Sequence, residues 1–168
     1  MKIIKDIYPY LIAIIIIVLI RSFIVTPVRV SGQSMYPTFE GGEILLLSKV
    51  SDIKRYDVIV LNRSVKSDHL IKRVYGMPGE TIKVKNNKVY IDGKAIADDY
   101  GYGITNDFAE VKLGDDEYFV LGDNRIISLD SRSIGAVKED KIKGKVIYSI
   151  FPFGSIEGWG FDKWKILI

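Results

Sequence analysis

The sequence predicts a mainly β domain preceded by one N-terminal transmembrane helix. Three observations predict it. An apolar run from Ile7 to Val25, interrupted by Arg21, is closed by Pro27. Beyond it, short β-branched runs alternate with turn residues. No later stretch holds a long helical period, which favours β over α/β architecture.

Taken from Ile7 to Val25 at 1.5 Å per residue, the first element would be roughly 28 Å long, about the thickness of a hydrocarbon core. A cleavable targeting peptide would continue into small residues at a cleavage site, whereas Arg21, Phe23, Ile24 and Val25 follow here. A buried core helix is the other alternative, but Ile14 to Val18 offers no polar face. Arg21 can carry its guanidinium out to the headgroups. Lys2 and Lys5 precede the span, which places the N-terminus in the cytoplasm and the rest of the chain outside. Residues 1–26 are therefore read as a cytoplasmic stub and anchor of a single-pass cell-membrane protein, and residues 27–168 as an extracellular β-rich domain.

Bulk composition narrows the chemistry. A chain of 168 residues suits one domain plus a short appendage. With 24 basic against 21 acidic residues, the net charge of +3 is too small and too dispersed for a nucleic-acid partner. The lack of cysteine excludes disulfides, a thiol nucleophile and a cysteine-based zinc site, and the single His69 excludes a multi-histidine metal site.

Strands are expected at Val28 to Val30, Ile44 to Leu47, Asp57 to Leu61, Leu70 to Val74, Tyr118 to Leu121 and Lys145 to Phe151. Thr81 to Ile91 reads as a hairpin. Its alternating residues flank Asn86-Asn87, which tolerates positive φ, and Asp92-Gly93 makes a second turn. Asp98 to Asp116, rich in Gly, Asp and Tyr, reads as an exposed loop or ribbon edge. Near the C-terminus, Trp159, Phe161 and Trp164 alternate with polar residues, as interfacial anchors and core aromatics both do.

Three segments carry chemistry. In Ser31-Gly32-Gln33-Ser34-Met35-Tyr36-Pro37-Thr38, Gly32 and Pro37 imply a tight turn that exposes Ser34, either as a nucleophile or as an ordinary turn serine. In Leu70-Ile71-Lys72-Arg73-Val74, a lysine sits inside an apolar strand. Burial would push its pKa down from about 10.4 toward the range of a general base, unless the side chain snorkels to solvent. Gly122-Asp123-Asn124-Arg125-Ile126-Ile127-Ser128-Leu129-Asp130-Ser131-Arg132 follows a strand and is dense in polar groups. It reads as a rigid polar network, in which Asp130 pairs with Arg132, or as a solvated loop held by Asx turns.

In this order, after one apolar span, these segments resemble the conserved boxes of type I signal peptidases, particularly the short Gram-positive form. Lys143-Gly144-Lys145-Val146 and Phe151-Pro152-Phe153 resemble the family's last strand. The resemblance implies a core of twisted antiparallel β-sheet, with a reduced β-ribbon insertion around residues 80–117. It makes Ser34 the catalytic nucleophile and Lys72 the base. Ser128 would hydrogen-bond and orient the Lys72 amine, Asp130 and Arg132 would brace that loop, and the Ser34 N–H would serve the oxyanion hole. Two departures stand out. Gly32 occupies the position where one branch of the family places a second, side-chain donor, and Tyr56 stands where the family has glycine.

The activity implied is that of a membrane-anchored serine endopeptidase cutting secretory preproteins after small-x-small sequences such as Ala-x-Ala, with no cofactor. Met35, Phe39, Leu70 and Ile71, which adjoin the pair, are expected to form shallow apolar substrate pockets. Expected partners are signal-peptide-bearing preproteins, the phospholipid membrane and the secretion translocon. A histidine-based triad through His69 fits poorly, because His69 is three residues from Lys72 and so on the other strand face. The related self-cleaving repressors lack the anchor. A non-catalytic assembly factor that binds pilin or surface-protein precursors, or a plain anchored binding domain, would have no use for both Ser34 and Lys72.

Overall fold

The computed structural model describes residues 2–23, 25–62 and 70–150. His69, Phe151 to Phe153, Trp159, Phe161 and Trp164 lie outside these described residues. The helix α1 (Lys2–Phe23) comes first. Its described side chains, those of residues 7–18, are all exposed and almost all apolar. Among the described residues no helix is long and apolar enough to cross a membrane, a crossing needing about 20 such residues. The structure therefore does not establish the transmembrane helix read from the sequence.

The strands are β1 (Val25–Arg29), β2 (Ile44–Ser48), β3 (Val58–Leu61), β4 (Leu70–Gly76), β5 (Thr81–Lys85), β6 (Lys88–Ile91), β7 (Lys94–Ala95), β8 (Phe108–Lys112), β9 (Glu117–Leu121), β10 (Val137–Lys138) and β11 (Ile142–Ile150). One short helix, α2 (Ser131–Ile134), sits between β9 and β10. Among the described residues they form a seven-stranded antiparallel sheet in the order β1-β2-β11-β3-β4-β9-β10 and a four-stranded one in the order β7-β6-β5-β8. The long β11 holds the larger sheet together. It pairs with β3 through Ile142 to Lys145 and with β2 through Lys145 to Ile150, and register shifts on both sides bend it around the core.

Strands buried on both faces read as continuous apolar runs. In β3, Val58 and Val60 join Leu45, Leu47, Met35 and Phe39 in one cluster, while Ile59 and Leu61 join Val74 and Val120 in another. In β9, Tyr118 and Val120 face that second cluster, whereas Phe119 and Leu121 face the ribbon residues Ile82, Val84, Val89 and Ile91. The expected hairpin is present, with Asn86 at φ 51° and Asn87 at φ 60°, the pair of positive angles a two-residue turn matched to strand twist needs. Asp92 and Gly93 repeat the device before β7.

Only part of the Asp98 to Asp116 stretch is the expected ribbon edge. β8 pairs with β5, but Thr105 is buried and the Asp98 side chain is only 17% exposed, because both are tied into the protein by hydrogen bonds. Tyr56 adopts φ 69°, a region that favours glycine. Its N–H donates to the Val74 carbonyl, its hydroxyl to the Ala97 carbonyl, and its ring stands edge-on to Tyr75. These contacts hold a tyrosine where glycine was expected.

Phe119 is fully buried, and its ring lies 5.1 Å from that of Phe108, which links the two sheets. Phe119→Ala is expected to cost about 3–5 kcal/mol in urea unfolding. A loss below about 1 kcal/mol would mean that the ribbon does not share the core.

Candidate active site

The loop after β1 turns back on itself. Val30 donates to the Glu43 carbonyl at 2.7 Å, Gly42 donates to the Val30 carbonyl at 3.0 Å, and Phe39 donates to Met35 at 2.9 Å. These bonds present Ser34 at the loop's crown. Lys72, on β4, is 1% exposed. Its Nζ lies 2.8 Å from Ser34 Oγ and 2.8 Å from the Ile71 carbonyl oxygen. Burial lowers the Lys72 pKa to about 8, against the opposing pull of the Asp130 and Asp123 carboxylates. As an ammonium, Nζ donates to both oxygens. As a neutral amine, it offers its lone pair to the Ser34 hydroxyl at the same distance.

The neighbour of Lys72 fixes this geometry. Arg73 and Asp123 are both fully buried and meet in a two-point ion pair, Nε to Oδ1 at 2.9 Å and Nη2 to Oδ2 at 2.6 Å. Arg73 also donates to the Tyr56 carbonyl at 2.9 Å and to Thr38 Oγ1 at 3.3 Å, and the Thr38 hydroxyl donates to Asp123. The nucleophile loop, β4 and the loop after β9 are thereby joined at one point. Neither Arg73 nor Asp123 was among the candidate site residues. The signal was a second cation inside the same apolar strand as Lys72.

The loop after β9 closes the site. Asn124 N–H donates to the Ser34 carbonyl at 3.0 Å. A Cβ on Gly122 would fall 2.0 Å from Ser128 Oγ and 2.6 Å from the Ser34 carbonyl oxygen, so only glycine lets the two loops approach. Asp130 caps α2 and pairs with Arg132, Nε to Oδ1 at 2.8 Å and Nη2 to Oδ2 at 2.9 Å, while accepting from Gly122 N–H at 3.0 Å. Burial would raise the Asp130 pKa, but Arg132 and the Gly122 N–H outweigh it and hold the carboxyl below its usual range. Arg132 also donates to the Arg125 carbonyl at 2.9 Å.

Two expectations need correcting. Ser128 does not bond Lys72: its Oγ is buried without a hydrogen bond of good geometry among the described residues, and the second Lys72 contact is the Ile71 carbonyl. Of the four residues expected to form shallow apolar pockets, three are buried and Leu70 is half-buried. Met35, Phe39 and Ile71 are built into the cluster with Leu45 and Val58, while half-buried Leu70 packs against Ile59 and Leu61. Ser34 N–H donates no hydrogen bond among the described residues. No group of His, Cys, Asp or Glu side chains among them is placed to hold a metal.

Residues 3–151 match the family described as signal peptidase, peptidase S26. The chain belongs to this family. Membership makes it a serine endopeptidase. Signal peptidase I T of Bacillus subtilis (strain 168) is 38% identical over 161 residues, covering 86% of this chain and 83% of that protein. A signal peptidase I of Bacillus amyloliquefaciens is 40% identical over 159 residues, 85% and 82% of the two chains. The crystal structure of a signal peptidase I from Enterococcus faecalis V583 superimposes with a TM-score of 0.52 at 29% identity, over 58% of this chain and 98% of that one. The curled antiparallel core is thus shared with a solved member of the family.

Replacing Arg73 by methionine leaves Asp123 buried and unpaired, an expected loss of about 3–5 kcal/mol in chemical denaturation. The double variant Arg73→Met/Asp123→Leu should recover a large part of that loss. If the double variant is less stable than the single one, the ion pair is not what holds the loops.

Proposed function

We propose that this peptidase removes signal peptides from secretory preproteins after small-x-small sites such as Ala-x-Ala, with Ser34 as nucleophile and Lys72 as general base. The observation that carries the reading is the 2.8 Å approach of a buried lysine amine, with a pKa lowered to about 8, to a serine hydroxyl on a loop crown. The neutral amine takes the Ser34 proton as Oγ attacks the scissile carbonyl, and the resulting ammonium protonates the leaving amine. Water activated by the same amine then hydrolyses the acyl-enzyme. The Ser34 N–H, which has no partner among the described residues, is the oxyanion donor we assign. Asp130 and Arg132 brace the loop.

We further propose that residues 1–26 anchor the enzyme in the cell membrane, N-terminus inside, with residues 27–168 as the extracellular catalytic domain. The apolar run from Ile7 to Val25, roughly 28 Å as a helix at 1.5 Å per residue, supports this. Ser34 follows Phe23 by 11 residues, so the site stays within about 40 Å of the helix end and acts on substrates tethered to the same bilayer as they leave the translocon. With Met35, Phe39 and Ile71 committed to the core, they form at most the floor under the small side chains of the substrate.

Incubated with a preprotein carrying an Ala-x-Ala site, the wild type is expected to release a new N-terminus readable by mass spectrometry. Ser34→Ala and Lys72→Ala should each be inactive with an unchanged circular dichroism spectrum, and turnover by the Lys72 variant would sink the dyad. Binding without cleavage by the wild type would move the assembly-factor reading ahead. Because only neutral Lys72 accepts the proton, kcat/KM should rise with pH and level off above about 8. A profile flat from pH 6 to 9 would exclude Lys72 as the base.

A further inference from the structure

The stretch from Asp98 to Thr105, between β7 and β8, lies across the loop that follows β9. Tyr102 N–H donates to the Asp123 carbonyl at 2.7 Å, and Arg125 N–H donates to the Tyr102 carbonyl at 3.0 Å. Arg125, 2% exposed, reaches into the strap. Its guanidinium donates to Asp98 from both terminal nitrogens, to the Thr105 hydroxyl, to the Tyr75 hydroxyl at 2.8 Å and, through Nε, to the Gly122 carbonyl at 3.1 Å. Asp98 is the carboxylate in direct contact with it. A Cβ on Gly101 would fall 2.8 Å from the guanidinium, so strap and loop approach as closely as backbone allows. The strap also touches the nucleophile loop, the Tyr102 ring standing edge-on to Tyr36 at 5.4 Å.

We infer that this strap is a positioning element for the nucleophile, acting through Asp98 and Arg125. The mechanical path is short. Asn124, the residue before Arg125, holds the Ser34 carbonyl. With Asp98 neutral, Arg125 is a buried cation without its counter-charge and moves toward solvent, taking Asn124 off the Ser34 backbone. Asp98 touches no reacting atom, so its loss shows in the rate of the chemical step and not in substrate affinity. The inference rests on the reading of Ser34 as nucleophile.

The full-length protein in detergent is assayed with an Ala-x-Ala preprotein at varied concentration, comparing Asp98→Asn, Asp98→Glu and Gly101→Ala with wild type and Ser34→Ala. Asp98→Asn is expected to lower kcat by roughly tenfold to a hundredfold with KM within about twofold. Gly101→Ala, which displaces the guanidinium but keeps both charges, should do the same, and it decides the matter by the same two numbers if Asp98→Asn does not fold. Asp98→Glu should restore most of kcat. Wild-type kcat in Asp98→Asn and Gly101→Ala, a loss carried by KM alone, or a glutamate variant as slow as the asparagine one overturns the inference. Full turnover by Ser34→Ala would instead overturn the nucleophile reading, whatever the strap variants show.

Discussion

The architecture of the site depends on an ion pair that water never reaches. Arg73 and Asp123 are each fully buried, and removing two such charges from water costs several kcal/mol per ion. The cost is offset here by close pairing: the guanidinium meets the carboxylate at two points, a carbonyl and a hydroxyl accept from two more of its five N–H donors, and the Tyr100 ring covers it at 3.7 Å. Those partners come from the nucleophile loop, the turn before β3, the strap and the loop after β9. Satisfying one buried arginine therefore sets the relative position of every segment that meets at Ser34.

The same charges tune the base. A lysine buried among apolar residues alone would lose its proton far below neutral pH and become a weak acceptor. Asp130 and Asp123 oppose the desolvation and leave Lys72 near 8. Neither carboxylate touches Nζ by hydrogen bond, since the amine is occupied by Ser34 Oγ and the Ile71 carbonyl. Each is instead held by its own arginine, Asp123 by Arg73 and Asp130 by Arg132, and so acts on Lys72 at a distance without competing for its lone pair.

Arg125 completes the set, and its partner Asp98 comes from the strap. Arginine suits all of these positions because its flat fork keeps its charge and binds a carboxylate at two points, which a lysine cannot do. Placing the only deeply buried lysine among the described residues beside paired arginines separates the group that must titrate from cations that serve as structural partners. Gly122 then lets the backbone of the Ser34 loop come against Ser128.

The sequence by itself determined the elements whose physics is local. Alternating and β-branched runs marked the strands, Asn86-Asn87 marked a turn that needs positive φ, and the resemblance to signal-peptidase boxes, where local pattern left alternatives open, singled out the serine and lysine that meet at 2.8 Å. Asp130 and Arg132, two residues apart, were legible for the same reason. Only the tertiary structure decided the rest. Arg73 meets Asp123 across 50 residues and Arg125 meets Asp98 across 27, distances over which composition carries no register. Met35, Phe39 and Ile71 read as pocket residues from their nearness to the pair, yet side-chain direction on a folded strand or turn sends them into the core. A residue's position in sequence limits what it can reach locally, but which face it presents and which distant charge it meets are settled when the sheets close around the shared core.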